Sequence, residues 1–180
     1  MRYRTILIDP PWALSLVNTY TKGKSHKNKR PGSLAYPTMT LAQVAALPVA
    51  SLAAEGAHLW LWTTNQFLGA GFDLMAGWGF TYLAPVTWIK PSGIGNYFVH
   101  RTQTLLFGYR SKCLFPLARY RPTVLFAPTP TRHSTKPEES YQLVESISPG
   151  PRLELFARRA RAGWDAWGDE APEPIQLRQA

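Results

Sequence analysis

The chain has 180 residues, of which 45% are hydrophobic and 17% are charged, and this composition excludes an extended disordered chain. Neither an apolar run of the roughly 18 residues that a membrane span needs nor a secretory signal is visible. The formal net charge is +9, and the single cysteine, Cys113, excludes an internal disulfide and a cysteine-rich zinc site. We therefore expect one domain over residues 1–171 and a frayed tail over 172–180, in a reducing cytoplasm, with no membrane partner and no metal.

Seven short apolar runs predict β-strands. Most are continuous rather than alternating, which is typical of strands that are buried on both faces of a parallel sheet. In chain order they are Thr5–Ile8, His58–Trp62, Pro85–Ile89, Thr104–Phe107, Thr123–Phe126, Arg152–Phe156 and Trp164–Trp167.

Two of the predicted helices begin with a capping-box pattern, in which a Ser or Thr is followed three residues later by Glu or Gln. Thr40 and Gln43 form the first box, and Pro48 ends that helix. Thr135 and Glu138 form the second, which Ser148-Pro149-Gly150 ends. The apolar positions of the second helix are Tyr141, Val144 and Ile147.

A third helix is predicted between these two. Asn65 can cap it, and Leu68, Phe72 and Met75 would lie on one face. Strands that alternate with helices in this way predict an α/β fold, in which helices flank a mostly parallel sheet.

The positive charge is concentrated toward the amino-terminal side. Residues 1–136 contain fifteen Lys or Arg and three acids, which gives a net charge of +12. Residues 137–180 contain five Lys or Arg and eight acids, which gives a net charge of −3. This distribution favours a polyanion such as nucleic acid as a partner, although charge can also serve solubility alone.

A segment without periodicity, residues 13–35, contains the densest group of cations. We expect it to become ordered on a phosphate backbone, and the alternative is a solvated loop that contacts nothing. The cations expected to bind the backbone are Lys22, Lys24, Lys27, Lys29 and Arg30.

The tetrapeptide Asp9-Pro10-Pro11-Trp12 follows the first predicted strand, where ligands bind in open α/β sheets. An adenine amine is a poor nucleophile, but a carboxylate and a backbone carbonyl that accept its two N–H groups can favour tetrahedral nitrogen. Asp9 and the Pro10 carbonyl, held by the fixed φ of proline, suit this role. Trp12 would offer a stacking face to a flipped base. The alternative is an Asp that only caps a turn.

The tetrapeptide resembles the catalytic motif of the adenine-N6 methyltransferases that include the catalytic subunit of the eukaryotic mRNA N6-adenosine writer and its bacterial and phage relatives. The resemblance extends from about Tyr3 to Glu170. It implies a Rossmann-like methyltransferase fold that uses S-adenosylmethionine, with the catalytic motif before the cofactor strand in chain order. It also implies that Tyr36 lies near the target base and that His100 belongs to a segment over the site, although a structural role for His100 is equally open.

The same resemblance implies the cofactor contacts. Lys136 would bind the methionine carboxylate, and Asp9 in the catalytic loop would also contact the cofactor. Phe156 and Arg158 would line the cofactor, although Phe156 equally suits the core and Arg158 a solvated surface. Asp169 and Glu170 would face the ribose hydroxyls, or would belong to an acidic tail.

Several positions depart from the family pattern. A Gly-x-Gly phosphate fingerprint is missing after the first strand, and Ala157-Arg158-Arg159 stands where relatives often have a glycine. Gln103 replaces a common Glu. The residues and the resemblance together predict an S-adenosylmethionine-dependent adenine-N6 methyltransferase that acts on DNA, in a bacterial or phage setting. The alternatives are an RNA substrate and a non-catalytic nucleic-acid-binding subunit on the same fold.

Overall fold

The computed structural model describes residues 2–13, 37–94, 98–112, 115, 121–130 and 135–176. These ranges form a seven-stranded mixed sheet with helices on both faces. The predicted α/β class is therefore confirmed.

All seven predicted strands are present, several with wider bounds than the apolar runs indicated. The strands are β1 (Tyr3–Ile8), β2 (Ala53–Thr63), β3 (Thr81–Ile94), β4 (His100–Tyr109), β5 (Val124–Phe126), β6 (Arg152–Leu155) and β7 (Trp164–Trp167).

The strand order across the sheet is β5-β3-β4-β2-β1-β6-β7. Four of the six neighbouring pairs are parallel, and the two pairs that involve β4 are antiparallel. The expectation of a mostly parallel sheet is thus confirmed. Because β4 alone runs the other way, the carboxyl ends of the other six strands point toward one edge of the sheet.

The two faces of the sheet form separate apolar clusters. On one face, Ile6, Ile8 and Leu61 pack with the helices α1 (Leu41–Ala45), α2 (Val49–Leu52) and α3 (Leu68–Gly77). On the other face, Leu7, Trp60 and Trp62 pack with α4 (Glu138–Ile147). Burial on both faces explains why the strands are continuous apolar runs.

The first capping box is confirmed, and α1 ends before Pro48 as predicted. The backbone N–H of Gln43 donates to Thr40 Oγ1 at 3.2 Å, and the Thr40 N–H donates to Gln43 Oε1 at 2.8 Å. The short helix α2, which follows Pro48, was not predicted.

The capping box predicted at Thr135 is wrong. Helix α4 begins at Glu138, its N-cap is Pro137, and no side chain caps it. Glu138 is therefore the first residue of the helix rather than the third, and its carboxylate binds Arg159 and Arg161. The buried hydroxyl of Thr135 has no hydrogen-bond partner within the described ranges.

The cap predicted for α3 is also wrong, and of its predicted face Leu68 and Met75 pack in the core whereas Phe72 does not. A 3-10 helix over Asn65–Phe67 precedes α3, whose N-cap is Phe67. Gly71 is one of the buried positions of α3. A Cβ added there would lie 2.6 Å from the Thr63 side chain, which shows that this face of the helix packs closely on the sheet. Phe72 is consequently turned outward, with 37% of its surface exposed, and contacts Tyr82.

Candidate active site at the carboxyl edge of the sheet

The loop Asp9-Pro10-Pro11-Trp12 leaves the carboxyl end of β1, where the sequence predicts it. The N–H of Trp12 donates to the Pro10 carbonyl at 2.8 Å, which closes a three-residue turn. The N–H of Met39 donates to the Pro11 carbonyl at 3.0 Å. The turn fixes the direction of the Pro10 carbonyl, and that oxygen keeps one lone pair for a ligand.

Trp12 does not offer the open stacking face that the sequence predicts. It is only 5% exposed, and its ring stacks on Phe67 with 4.9 Å between centroids and 14° between planes. Its indole N–H donates to the Trp62 carbonyl at 3.1 Å. The large apolar ring is buried in the core, so Trp12 anchors the loop.

Asp9 forms an ion pair with Lys136, which lies 127 positions away in the sequence. The distance from Lys136 Nζ to Asp9 Oδ2 is 2.6 Å, and the two side chains are 8% and 18% exposed. The ammonium group also lies 5.4 Å from the centre of the Trp62 ring. The structure thus joins the predicted catalytic acid to the predicted cofactor-binding cation.

A second lysine lies in the electrostatic field of this pair. Burial lowers the pKa of Lys90, and repulsion from Lys136 lowers it further. Its ammonium group lies 5.8 Å from the centre of the Trp88 ring. Two ammonium groups that repel each other would both gain from an anionic group of a ligand beside them.

The connection that follows β6 brings the other predicted cofactor residues to the same edge of the sheet. Phe156 has a φ of 66°, an uncommon value for a residue with a side chain, and meets Trp167 edge-on with 5.3 Å between centroids. Arg158 pairs with Glu170 at 3.7 Å. Asp169, beside Glu170, is exposed.

A glycine that the sequence analysis did not assign a role permits this arrangement. The Ala157 N–H donates to the Trp167 carbonyl at 2.9 Å, which brings the ends of β6 and β7 together. A Cβ on Gly168 would lie 2.5 Å from the Ala157 carbonyl oxygen and 2.8 Å from its nitrogen. Because Gly168 has no Cβ, its backbone can lie against the backbone of Ala157, although the Gly-x-Gly fingerprint is missing.

Replacement of Gly168 by Ala should therefore lower the free energy of unfolding by about 1–3 kcal/mol, because backbone atoms must move apart. Binding of S-adenosylhomocysteine should weaken as well, since the displaced segment holds Phe156 and Arg158. Denaturant unfolding and calorimetry measure the two effects. Gly77→Ala is the matched control, because no atom lies within 4 Å of an added Cβ at Gly77. Equal stability of the two variants would contradict the prediction.

A buried carboxyl group that the sequence reasoning missed is Glu154, which is 6% exposed in the middle of β6. The hydroxyl of Tyr141 donates to its Oε1 at 2.7 Å, and burial raises the pKa of Glu154. An acid between Leu153 and Leu155 in an apolar strand is a signal that could have revealed it.

Of the remaining predicted residues, His100 lies at the same edge of the sheet, where the antiparallel strand β4 begins, and the others lie outside the described ranges. His100 is exposed at the start of β4, and its Nδ1 lies 2.9 Å from the side-chain nitrogen of Asn65. Tyr36 and the cations Lys22, Lys24, Lys27, Lys29 and Arg30 lie outside the described residues.

Two findings apply only to the described part of the chain. Its His, Cys, Asp and Glu residues contain no group of three or more that could hold a metal ion. Its helices include none that is long and apolar enough to cross a membrane.

Comparison with known proteins assigns the chain to a family. The MT-A70 family model matches residues 3–170. Type II methyltransferase M.MunI of Mycoplasma sp is 29% identical over 96% of this chain and 79% of its own length. The N(6)-adenine-specific methyltransferase METTL4 of Mus musculus is 30% identical over 93% of this chain and 37% of its own length. The N6-methyladenosine RNA methyltransferase MTA1 of Cryphonectria parasitica is 30% identical over 92% of this chain and 50% of its own length.

The chain therefore spans most of the length of M.MunI but half or less of METTL4 and MTA1. The family match includes all seven strands and every residue of the candidate site that the structure describes. The chain belongs to the MT-A70 family and has its Rossmann-like methyltransferase fold.

Proposed function

We propose that this chain is an S-adenosylmethionine-dependent adenine-N6 methyltransferase that acts on nucleic acid, with DNA as its substrate. The observation that carries the proposal is the Asp9–Lys136 ion pair at the carboxyl end of β1, next to the fixed Pro10 carbonyl. The pair joins the carboxylate of Asp9, which can accept hydrogen bonds from an amine, to the ammonium group of Lys136, which can donate to a carboxylate. The similarity to M.MunI and METTL4 supports the reaction class.

The residues present fit such a cofactor. Its methionine part carries an ammonium group and a carboxylate, which Asp9 and Lys136 complement. Two buried polar atoms next to Lys136, Trp62 Nε1 and Thr135 Oγ1, have no hydrogen-bond partner within the described ranges. Because buried polar atoms are normally paired, these two are available to polar groups of a ligand.

When bound, S-adenosylmethionine supplies an activated methyl group on a sulfonium. The contribution of the protein is then mainly to orient the acceptor. Lys136 Nζ has three donors and can hold a carboxylate while it remains bonded to Asp9. Asp9 Oδ1 and the Pro10 carbonyl would accept the two N–H groups of the adenine amine and so orient its lone pair for attack, and the proton that the methylated nitrogen loses would pass to Asp9 or to water.

The sites farther from the transferred methyl group have separate tasks. Phe156 and Arg158 line the cofactor, and Asp169 and Glu170 face its ribose hydroxyls. Because the ring of Trp12 is buried against Phe67, we assign the stacking of the flipped base to Tyr36 instead.

Transfer of a tritiated methyl group from S-adenosylmethionine to DNA and to RNA, with identification of the modified base, tests the proposal. We expect N6-methyladenine in DNA. If only RNA were labelled, the substrate would be RNA, the alternative that the similarity to MTA1 favours. No transfer to either polymer, with nucleic-acid binding intact, would support a non-catalytic subunit.

We further propose a bacterial or phage setting and a reducing cytoplasm, the latter because Cys113 is the only cysteine.

The cations of residues 22–30 should bind the phosphate backbone. Each phosphate contact that is lost should flatten the plot of log affinity against log salt by roughly 0.7 to 0.9. Neutralisation of all five, Lys22, Lys24, Lys27, Lys29 and Arg30, should therefore weaken binding to unrelated sequences alike, without a change in the methylated base. Binding isotherms at several salt concentrations measure the slope. A wild-type slope in the neutralised variant would leave this segment without a role in substrate binding.

A further inference from the structure

The carboxylate of Glu138 binds two arginines of the segment between β6 and β7. Arg161 forms a bidentate pair with it, with both N–O distances at 2.6 Å. Arg159 Nη2 donates to Glu138 Oε2 at 2.5 Å. The hydrogen bond from Arg161 is the main reason that the pKa of Glu138 is lowered to about 2.

The guanidinium of Arg161 is also held on a second side. Its central carbon lies 3.8 Å from the centre of the Tyr141 ring, and the Tyr141 hydroxyl donates to buried Glu154. Arg161 is only 14% exposed in this arrangement. Exposed ion pairs contribute little as a rule, but bidentate geometry within a network of charges is the recognised exception.

The position of this network in the chain connects the two halves of the candidate site. Glu138 begins α4, two residues after Lys136, which pairs with Asp9. Arg159 directly follows Arg158, which itself lies two residues after Phe156. A contact between Glu138 and the arginines therefore links the start of α4, close to the Asp9–Lys136 pair, to the segment after β6.

We propose that Glu138 is a positioning residue, which holds Arg159 and Arg161 so that the segment after β6 stays in place for the cofactor. The proposal rests on the proposed function, because it concerns the affinity of the same site. A contact that served stability alone would affect unfolding and would leave the affinity of the folded protein unchanged. A positioning contact affects affinity first.

Calorimetric titration with S-adenosylhomocysteine of the full chain tests this. Glu138→Gln keeps the shape and removes the charge, and we expect its affinity to fall by about fivefold to tenfold, as charge-assisted hydrogen bonds are lost. The midpoint of thermal unfolding should shift by no more than about 4 °C. In the methyl-transfer assay the KM for S-adenosylmethionine should rise while kcat stays within about twofold of the wild type.

The matched control is Glu139→Gln, which removes the same charge from the next residue. Glu139 forms no ion pair with the described residues, so its replacement should leave affinity unchanged. In a double-mutant cycle, Glu138→Gln combined with Arg161→Gln should lose no more affinity than the weaker-binding single variant.

Three results would overturn the inference while the proposed function stands. They are wild-type affinity in Glu138→Gln, losses that add in the double variant, and a loss of affinity no larger than that of Glu139→Gln. The first, together with weak binding by Arg161→Gln, would mean that Arg161 contacts the cofactor itself. Failure of the wild-type protein to bind S-adenosylhomocysteine would instead contradict the proposed function, and the inference with it.

Discussion

Replacement of Asp9 by Ala should reduce methyl transfer on the order of 100-fold or more, because the acceptor amine loses the group that orients it. Misorientation of a reacting group by about 1 Å is sufficient for a loss of this size. Transfer of a tritiated methyl group under single-turnover conditions measures the effect. A variant that retained more than about a tenth of wild-type turnover would exclude the proposed role of Asp9.

The structure adds a complication that a second variant resolves. Asp9→Ala also leaves the buried ammonium group of Lys136 without its carboxylate partner, which lowers stability independently of catalysis. Asp9→Asn retains an oxygen that accepts from Lys136 and should be severely impaired in transfer while it remains folded. Asp73→Asn is the matched control, since Asp73 is exposed on α3, and its activity should equal that of the wild type.

Replacement of Lys136 by Met should weaken binding of S-adenosylhomocysteine by about 10-fold to 100-fold. Met keeps an apolar chain against the Trp62 ring and removes the cation, which pairs with Asp9 and which we propose binds the methionine carboxylate. A sheltered, charge-assisted hydrogen bond contributes about 1.5–3 kcal/mol, which corresponds to this range. Affinity for nucleic acid should change little, and calorimetry together with binding isotherms separates the two ligands.

Lys112→Met provides the control, because Lys112 is an exposed lysine and its loss changes the net charge equally. If both variants bound S-adenosylhomocysteine like the wild type, the carboxylate contact would have been assigned to the wrong residue. If nucleic-acid affinity fell with cofactor affinity retained, Lys136 would belong to the substrate side of the site.

The predictions that the structure confirmed share a local cause. Continuous apolar runs such as Thr5–Ile8 need only a sheet covered on both faces, and all seven runs became strands. The capping box at Thr40 satisfies backbone donors within its own turn. The position of Asp9 after β1 follows from the end of an apolar run at Asp-Pro-Pro.

The errors arose where a distant partner competed with a local one. Glu138 could have closed a capping box with Thr135, but two arginines more than twenty residues away bind its carboxylate. Trp12 ends the loop after β1, yet its ring gains more from burial against Phe67 than from an exposed face.

The residue order alone was enough to predict the class of the fold, the seven strands, the position of the candidate tetrapeptide Asp9-Pro10-Pro11-Trp12 and the family resemblance. Each depends on neighbouring residues or on motifs in register. Three features appear only in three dimensions: β4 runs against its neighbours, Lys136 pairs with Asp9 across 127 positions, and Gly168 lets two backbones meet. The physical reason is that charge pairing and close packing depend on distance in space, which the order of residues along the chain does not specify.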